Sequence, residues 1–503
     1  MKTIDIKEEG RVIEVKRSIA RIEGFPHCLN GQLLDFACGQ RGMVMGFKEE
    51  EVFALILGSR QDVKPGEKVY TREETFRIPV GYGFVGRIVN SLVEPLDGKG
   101  PIALKAPSTP KKDTVEEGTA KRPASFSDLY PVFREAPSVL QREPITKTLE
   151  TGLRSIDAMI PIGKGQRELI IGDRMTGKTS IALDTVLNQK DKKVLCIYCF
   201  IGKDYNTLKK VVQALSSAQA FTYTVVVAAF ASSSPGEQYL APYAACTLGE
   251  FFMEHGEDVF VVFDDLTKHA WAYRQLSLLL ERSPGRDAYP GDIFYLHSQL
   301  VERASKLNSE HGGGSMTFFP IVDTIQGDIT GYVPSNLISM TDGQIYLNTT
   351  LFAEGFKPAI DLGLSVSRIG SKVQSKAMKE LSAMLRLEYL QYKELLKMSK
   401  LKAGLSPEVE KKLRRGEAIT QILIQEKNKP SPHEEQLLML YALRKGFLDG
   451  LSHEEIGKFK KEIYAFAHEH GEVFMREIAS KRELTETIKE GLEAILKKYF
   501  GKK

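Results

Sequence analysis

The sequence predicts a multidomain α/β protein in three parts: an N-terminal antiparallel β-barrel, a central domain of parallel strands and helices, and a C-terminal α-helical domain. Three observations predict it. Up to about Tyr70, short apolar stretches alternate with Gly and charged turns and never hold a helical period. Between about Leu149 and Ser371, β-rich runs alternate with helix-like ones, the order that builds a parallel sheet flanked by helices. Beyond Val373, Leu, Lys and Glu recur at helical spacing. A chain of 503 residues, 42% of them hydrophobic, is too long for one core and too apolar for disorder, so several folded domains are expected.

The barrel is assigned to residues 1–72 on the stretches RVIEV, SIARIEG, GMVMGF and VFALILG. Its aromatics Phe25, Phe36, Phe47, Phe53 and Tyr70 stand mostly among aliphatics, as core residues do. The central domain is assigned to residues 73–372. Within it, a stretch from about Ala103 to Val132 is rich in Pro, Lys, Ser and Thr and poor in aliphatics, the mark of an exposed loop or insertion. ELIIG, KVLCIYCF, YTVVVAAF and DVFVVFDD read as strands, with TSIALDTVLNQ and YNTLKKVVQAL as helices between them. The helical domain, residues 373–503, carries QSKAMKELSAMLRLEYLQYKELL, EEQLLMLYALRKGFL and LTETIKEGLEAILKKYF. No internal repeat is visible.

Bulk chemistry excludes more than it names. A formal charge of +4, from 69 basic and 65 acidic side chains, sets up no field that by itself selects nucleic acid or an anionic membrane. Five scattered cysteines argue for a reducing compartment and against a disulfide framework. Cys196 and Cys199 form a CxxC, yet inside an apolar run that reads as a strand, with no second Cys or His pair nearby, so buried structural thiols are the better reading than a metal or redox pair. The start, MKTIDIKEEGRVIEV, has neither the pattern of a signal peptide nor that of a transit peptide, and no run of about 18 uncharged apolar residues occurs anywhere. Any membrane association is therefore expected through partners.

The strongest local signal is Gly172-Asp173-Arg174-Met175-Thr176-Gly177-Lys178-Thr179, which fits GxxxxGK[ST] between a strand, ELII, and a helix, TSIALDTVL. In such a P-loop the glycines let the backbone curl until its N–H groups and the helix N-terminus face phosphate. Lys178 is expected to meet the β and γ charges, and the Thr179 hydroxyl to ligate Mg²⁺. A second, metal-side carboxylate is needed at the end of a strand, and VFVVFDDL supplies Asp264, expected to orient a Mg²⁺-bound water. Asp265 is read as the cap of the following helix.

At this point the residues carry a resemblance. PIGKGQRELIIGDRMTGKTS, LAPYAACTLGE, DDLTKHAWAYRQLSLLLERSPGRDAYPGDIFYLHSQLVERA, ISMTDGQIYL and GLSVSRIG closely resemble the alpha subunits of F-type ATP synthases, over most of the chain from about Gly10 to Gln425. The resemblance implies a barrel, a RecA-like P-loop nucleotide-binding domain and a helical domain, with ATP or ADP and Mg²⁺ as cofactors. It further implies a place in a hexameric ring, alternating with catalytic beta subunits around a gamma central stalk. Ion transport, of protons or sodium, and a position on the cytoplasmic face of a bacterial membrane follow from the same likeness, with membrane contact only through the ion-translocating sector.

The family places a trans-acting arginine in the block that here reads Ser365-Val366-Ser367-Arg368, which makes Arg368 the candidate catalytic residue at a partner's site, with Ser365 beside it. Such a guanidinium is worth about 10³ to 10⁵ in rate where it has been dissected in other phosphoryl-transfer enzymes. Phe352, Lys357, Pro358 and Gln425 match family positions near the base.

Several residues depart from the family. Catalytic beta subunits carry a glutamate after the strand that follows the P-loop helix and alpha subunits a glutamine; this sequence reads CFIGKDYNT, with Lys203 there. A cation cannot take a proton from attacking water, so hydrolysis at the chain's own site is expected to be very weak, unless neighbouring Asp204 swings inward. Met175 replaces the usual glutamine of the loop and Lys357 the arginine of an Arg-Pro pair, both changes that weaken nucleotide contacts. The family's N-terminal helical extension, which meets the delta subunit of the peripheral stalk, is nearly absent because barrel-like sequence begins by about Gly10, and the Ala103 to Val132 segment is longer than usual.

Two other readings compete. A self-sufficient secretion-type motor ATPase would need a base where Lys203 stands. A Rho-like RNA-translocating ring would need a basic, aromatic-rich barrel surface for single strands, whereas these barrel aromatics sit among aliphatics.

Overall fold

The structure, a computed structural model, describes residues 8–58, 62–103, 128–399 and 406–501. Residues 104–127, the greater part of the expected insertion, lie outside the described residues. The protein forms two compact units: residues 1–143, 191–322 and 330–340 make the first, residues 144–190, 323–329 and 341–503 the second.

In the first unit, β1 (Glu9–Lys16), β2 (Ile19–Glu23), β3 (Gln32–Phe36), β4 (Arg41–Lys48), β5 (Glu51–Leu57) and β6 (Lys68–Thr75) close into an antiparallel barrel in the order β1-β2-β5-β4-β3-β6. Short apolar stretches close this way because alternate residues face inward: Val12, Ala20, Ile22, Leu34, Phe36, Val44, Val52, Ala54, Ile56 and Val69 fill the interior. Phe25 joins them, while Phe47 is 51% exposed and departs from the expected core set. A bulge between Val44 and Gly46 lets β4 bend around the closure.

The same unit holds a parallel set of strands, Ile88–Val89, Thr224–Phe230, Val194–Lys203, Asp258–Asp264 and, all but its last residue, Ser315–Asp323, adjacent in that order. Their near-continuous apolar runs are mostly buried, as a sheet covered on both faces requires. Ser305–Lys306 is added antiparallel to Ser315–Asp323, since the short link between them is too brief for a crossover. The largest covering helix, Pro235–Glu254, opens with Ser234 and Glu237 in a capping box and Pro235 at its first position. Gly236 sits so near the barrel that a Cβ there would lie 2.5 Å from Leu55 Cδ1. Cys196, Cys199 and Cys246 are fully buried, and burial pushes their thiols upward, as structural thiols behave.

In the second unit, Leu169–Gly172 pairs in parallel with Gly343–Leu347, which takes Val366–Ser367 antiparallel on its other side. Parallel strands alone were expected; these two-residue antiparallel additions make both strand sets mixed. Helices follow from Lys376–Ser382 through Leu385–Ser399, Pro407–Leu423, His433–Arg444, His453–Lys481 and Glu486–Gly501. Ser406 and Ser452 cap two of these helices, and apolar faces including Ile419, Leu437, Ile456, Phe459, Ile463, Ile488 and Leu492 form their core.

Candidate functional site

The P-loop follows a strand, Leu169–Gly172, whose four residues are all buried. At Gly172 a Cβ would lie 2.6 Å from the Leu347 carbonyl, so only glycine lets the backbone pass. Met175 (φ 64°) and Gly177 (φ 104°) take left-handed backbone, which curls the loop into the N-terminus of Lys178–Leu187. Lys178 is 6% exposed; its ammonium donates to the carbonyls of Gly172 (2.7 Å) and Asp173 (2.5 Å) and lies 3.1 Å from Asp323. Arg174 reaches the same carboxylate at 3.3 Å. Thr176 is buried and donates to the Asp173 carbonyl, while Thr179 stands half-buried in the first helical turn.

Asp173 is the hub of the loop. Its carboxylate accepts from Thr324 Oγ1 (2.6 Å), Gly327 N (2.8 Å) and Thr349 Oγ1 (3.0 Å). Burial pushes it upward, but these hydrogen bonds and Lys178 outweigh burial and hold it below the usual carboxylate range. Through Thr349 the loop is tied to the short helix Thr349–Ala353, which carries Phe352. Lys357 places its ammonium 5.1 Å from the Phe352 ring centroid. Gln425 is buried: its backbone N–H donates to the Lys357 carbonyl, its Oε1 accepts from Arg154 N, and its Nε2 donates to Gly152 and Lys429 carbonyls. With its whole amide engaged by backbone, Gln425 acts as a bracket beneath Lys357-Pro358. Met175, 91% exposed, brings a thioether to the loop surface where a polar amide was expected from the family.

Arg368 is exposed and follows the edge strand Val366–Ser367, its backbone N–H bonded to the Asp342 carbonyl at 2.8 Å. Asp342 is clamped by Arg167 through Nε (3.0 Å) and Nη2 (2.8 Å). Beneath the arm, Gln166 Nε2 donates to Ser367 Oγ (3.2 Å) and to the buried Glu168 (2.7 Å). Burial, first, and then Asp342 raise the Glu168 carboxyl well above its usual value, against the opposing charge of Arg368. Ser365 is fully buried, accepting from Tyr346 N (2.9 Å) and donating to the Asp361 carbonyl (2.6 Å). Its hydroxyl is bonded to backbone on both sides.

In the first unit, Asp264 ends the strand Asp258–Asp264 with its side chain fully buried. The Lys203 ammonium bonds its Oδ1 and Tyr198 donates to its Oδ2 at 2.7 Å. Asp265 accepts from Lys268 N at 2.8 Å as the cap of the next helix, as read from sequence. Asp204 is likewise a cap, taking both the N–H (3.0 Å) and the hydroxyl (2.7 Å) of Thr207. Asp264, expected on the metal side, thus carries an ammonium on one oxygen and a phenol on the other.

Sequence reasoning missed Asp323, Tyr198, and the Thr324 and Thr349 latch. Asp323 had a visible signal: it closes the apolar run SMTFFPIVD just as Asp264 closes VFVVFD. Nothing local marks the threonines.

Comparison with known proteins agrees with the geometry. The family model for the beta-barrel domain of the ATP synthase alpha/beta family matches residues 5–72, and the model for that family's nucleotide-binding domain matches residues 152–367. A third, for the C-terminal domain of the same alpha/beta proteins, matches residues 374–499. ATP synthase subunit alpha of Clostridium botulinum strain Eklund 17B is 44% identical over 496 residues, covering 99% of this sequence and 94% of that protein. The subunit from strain Hall is 44% identical over 490 residues, covering 97% and 93%.

Proposed function

The chain belongs to the ATP synthase alpha/beta family, with alpha subunits as full-length relatives, and from that premise we propose that it is the non-catalytic subunit of a rotary F-type ATP synthase or ATPase. It binds nucleotide on Gly172–Thr179, alternates with beta-type subunits around a gamma-type stalk, and lends Arg368 to the neighbour's reaction.

One observation carries the reading. Where a catalytic member needs a carboxylate base, Lys203 presents a cation bonded to Asp264, and the adjacent Asp204 is spent as a helix cap. A cation cannot take a proton from water, and the Thr207 hydrogen bonds lower the Asp204 carboxyl, which makes it a weaker base than a free carboxylate. Arg368, by contrast, is exposed on a backbone pinned by the Asp342 carbonyl, and Asp342 is itself held by Arg167, the arrangement a rigid donor to another subunit's phosphate requires.

At its own loop the protein binds and orients phosphate. Lys178 and the loop N–H groups supply positive potential, Asp173 fixes the loop through Thr324, Gly327 and Thr349, and Phe352 with Lys357 offers a flat face and a cation on the base side. Thr179 is the loop residue whose hydroxyl would hold Mg²⁺ bound with the nucleotide. Domain limits at 72 and 372, ion transport by a membrane sector, a delta-type peripheral stalk, and residence on the cytoplasmic face of the membrane belong to the same proposal. Among the described residues no helix is long and apolar enough to cross a membrane.

The deciding experiment is ATP hydrolysis by the purified protein alone and after mixing with the beta-type subunit of the same source, with assembly followed by mass. Activity confined to the mixed ring is expected. Robust turnover by the unmixed protein would replace this reading with a self-sufficient motor.

A further inference from the structure

Arg368 stands on an arm held by a side-chain relay. The Gln166 amide is fixed at three points: its Oε1 accepts from Gly163 N (2.7 Å), and its Nε2 donates to Glu168 Oε2 (2.7 Å) and to Ser367 Oγ (3.2 Å). The Ser367 hydroxyl donates in turn to the Pro161 carbonyl (2.8 Å) and accepts from Gly370 N (3.3 Å). Arg368 lies between Ser367 and Gly370 in the chain, so these bonds bracket it on both sides.

Glu168 forms the buried end of the relay. It is fully buried and directly precedes Leu169–Gly172, which pairs with the strand that sets Gly343 opposite Ser367. A Cβ on Gly343 would lie 2.6 Å from Glu168 Oε2 and 2.2 Å from the Val366 carbonyl, so glycine alone admits this carboxyl so near the arm. Burial, and after it the charge of Asp342, raises the carboxyl well above its usual value against the opposing charge of Arg368. An uncharged acid still accepts the Gln166 bond, and it does not draw the exposed guanidinium inward.

We propose that Glu168 is a positioning residue for Arg368: through Gln166 and Ser367 it fixes the backbone from which the guanidinium reaches a neighbouring subunit's phosphate. The proposal rests on reading Arg368 as the residue lent to that neighbour. Glu168 itself touches no reacting atom and acts only through the relay.

The test measures kcat and KM for ATP hydrolysis by rings assembled with the beta-type subunit, assembly being verified by mass. Glu168→Ala is expected to lower kcat by about 10- to 100-fold with KM within about twofold of wild type. Glu168→Gln keeps an uncharged acceptor for Gln166 and should hold kcat within about threefold of wild type. Beside Arg368→Ala, Glu168→Ala should cost less than about a further twofold, whereas a residue needed only for the fold would cost as much without the arginine as with it. Equal losses in the two backgrounds, wild-type turnover in an assembled Glu168→Ala ring, or a Glu168→Gln ring as slow as Glu168→Ala overturns the proposal. Should Glu168→Ala fail to assemble, Ser367→Ala breaks the relay at its other end by the loss of one hydroxyl and must show the same arginine-dependent fall; unchanged turnover there overturns the relay. Full turnover in the Arg368→Ala ring would instead overturn the reading of Arg368, and this inference with it.

Discussion

At the scale of single residues, charge placement carries the function. Arg368 is exposed and its backbone bond to Asp342 does not depend on the side chain, so truncation should leave the fold intact. Arg368→Ala is expected to cut turnover of a reconstituted ring by about 10³-fold or more while nucleotide binding to this subunit stays within about twofold. Retained turnover would remove Arg368 from the reaction. Asp184 makes a different prediction. Burial raises its carboxyl to about 7 although Asn428 N donates to it at 2.6 Å. The folded form therefore holds a proton that the unfolded state, with an ordinary value of about 3.9, has already shed. Stability from this group is present below about pH 4 and is lost as pH rises through about 7. Asp184→Asn keeps an acceptor for Asn428 and should flatten that slope, raising the thermal midpoint at pH 8 by a few degrees, roughly 1 to 3 kcal/mol. A wild-type midpoint that does not fall relative to the variant between pH 5 and 8 would contradict the buried proton.

Elements explain why some of this was legible in sequence and some was not. The barrel strands read as short apolar stretches set between Gly and charged turns, and that alternation alone exposes them, although closure of β1 on β6 joins residues as distant as Glu9 and Tyr70. The P-loop is a local curl whose glycines and lysine stand together in sequence. The bond between Lys203 and Asp264 joins residues 61 apart and depends on strand order, which no local pattern encodes. Two-residue strands such as Val366–Ser367 are equally hidden, since they hold too few side chains for any period. Helix packing shows a related limit. Gly416, inside Pro407–Leu423, passes so close to Leu385–Ser399 that a Cβ would collide with Cβ, Cγ and Cδ2 of Tyr392, the root of that side chain and not its mobile end. Alanine is ordinarily the better helix former, so sequence alone would forecast a gain. The structure forecasts a loss of about 1–3 kcal/mol for Gly416→Ala, because two helices must part. Denaturant unfolding checks this, and Tyr392→Ala in the same protein should recover part of the loss; a stabilised Gly416→Ala would show that the helices are not in contact there.

For the whole molecule, the division of labour between binding and catalysis yields the last prediction. If the protein's loop only holds nucleotide while its arginine serves a neighbour, the two properties must separate by mutation. Lys178→Ala tests this, because the lysine ammonium is the loop's buried cation while Arg368 lies on a separate arm. The change should not collapse the loop, since Asp173 keeps its bonds to Thr324, Gly327 and Thr349, and Arg174 still reaches Asp323. Losing a charged hydrogen-bond donor to phosphate is worth about 1.5–3 kcal/mol, so nucleotide affinity of the isolated subunit should fall by about 10- to 100-fold. Turnover of the assembled ring should keep most of its rate, because the reacting phosphate sits on the partner. Binding measured on the isolated subunit and hydrolysis measured on the ring, with assembly verified by mass, give the two numbers. Complete loss of turnover in a fully assembled Lys178→Ala ring would mean that this loop is itself a reaction centre, and Lys203 would then have to be explained as something other than the mark of a silent site.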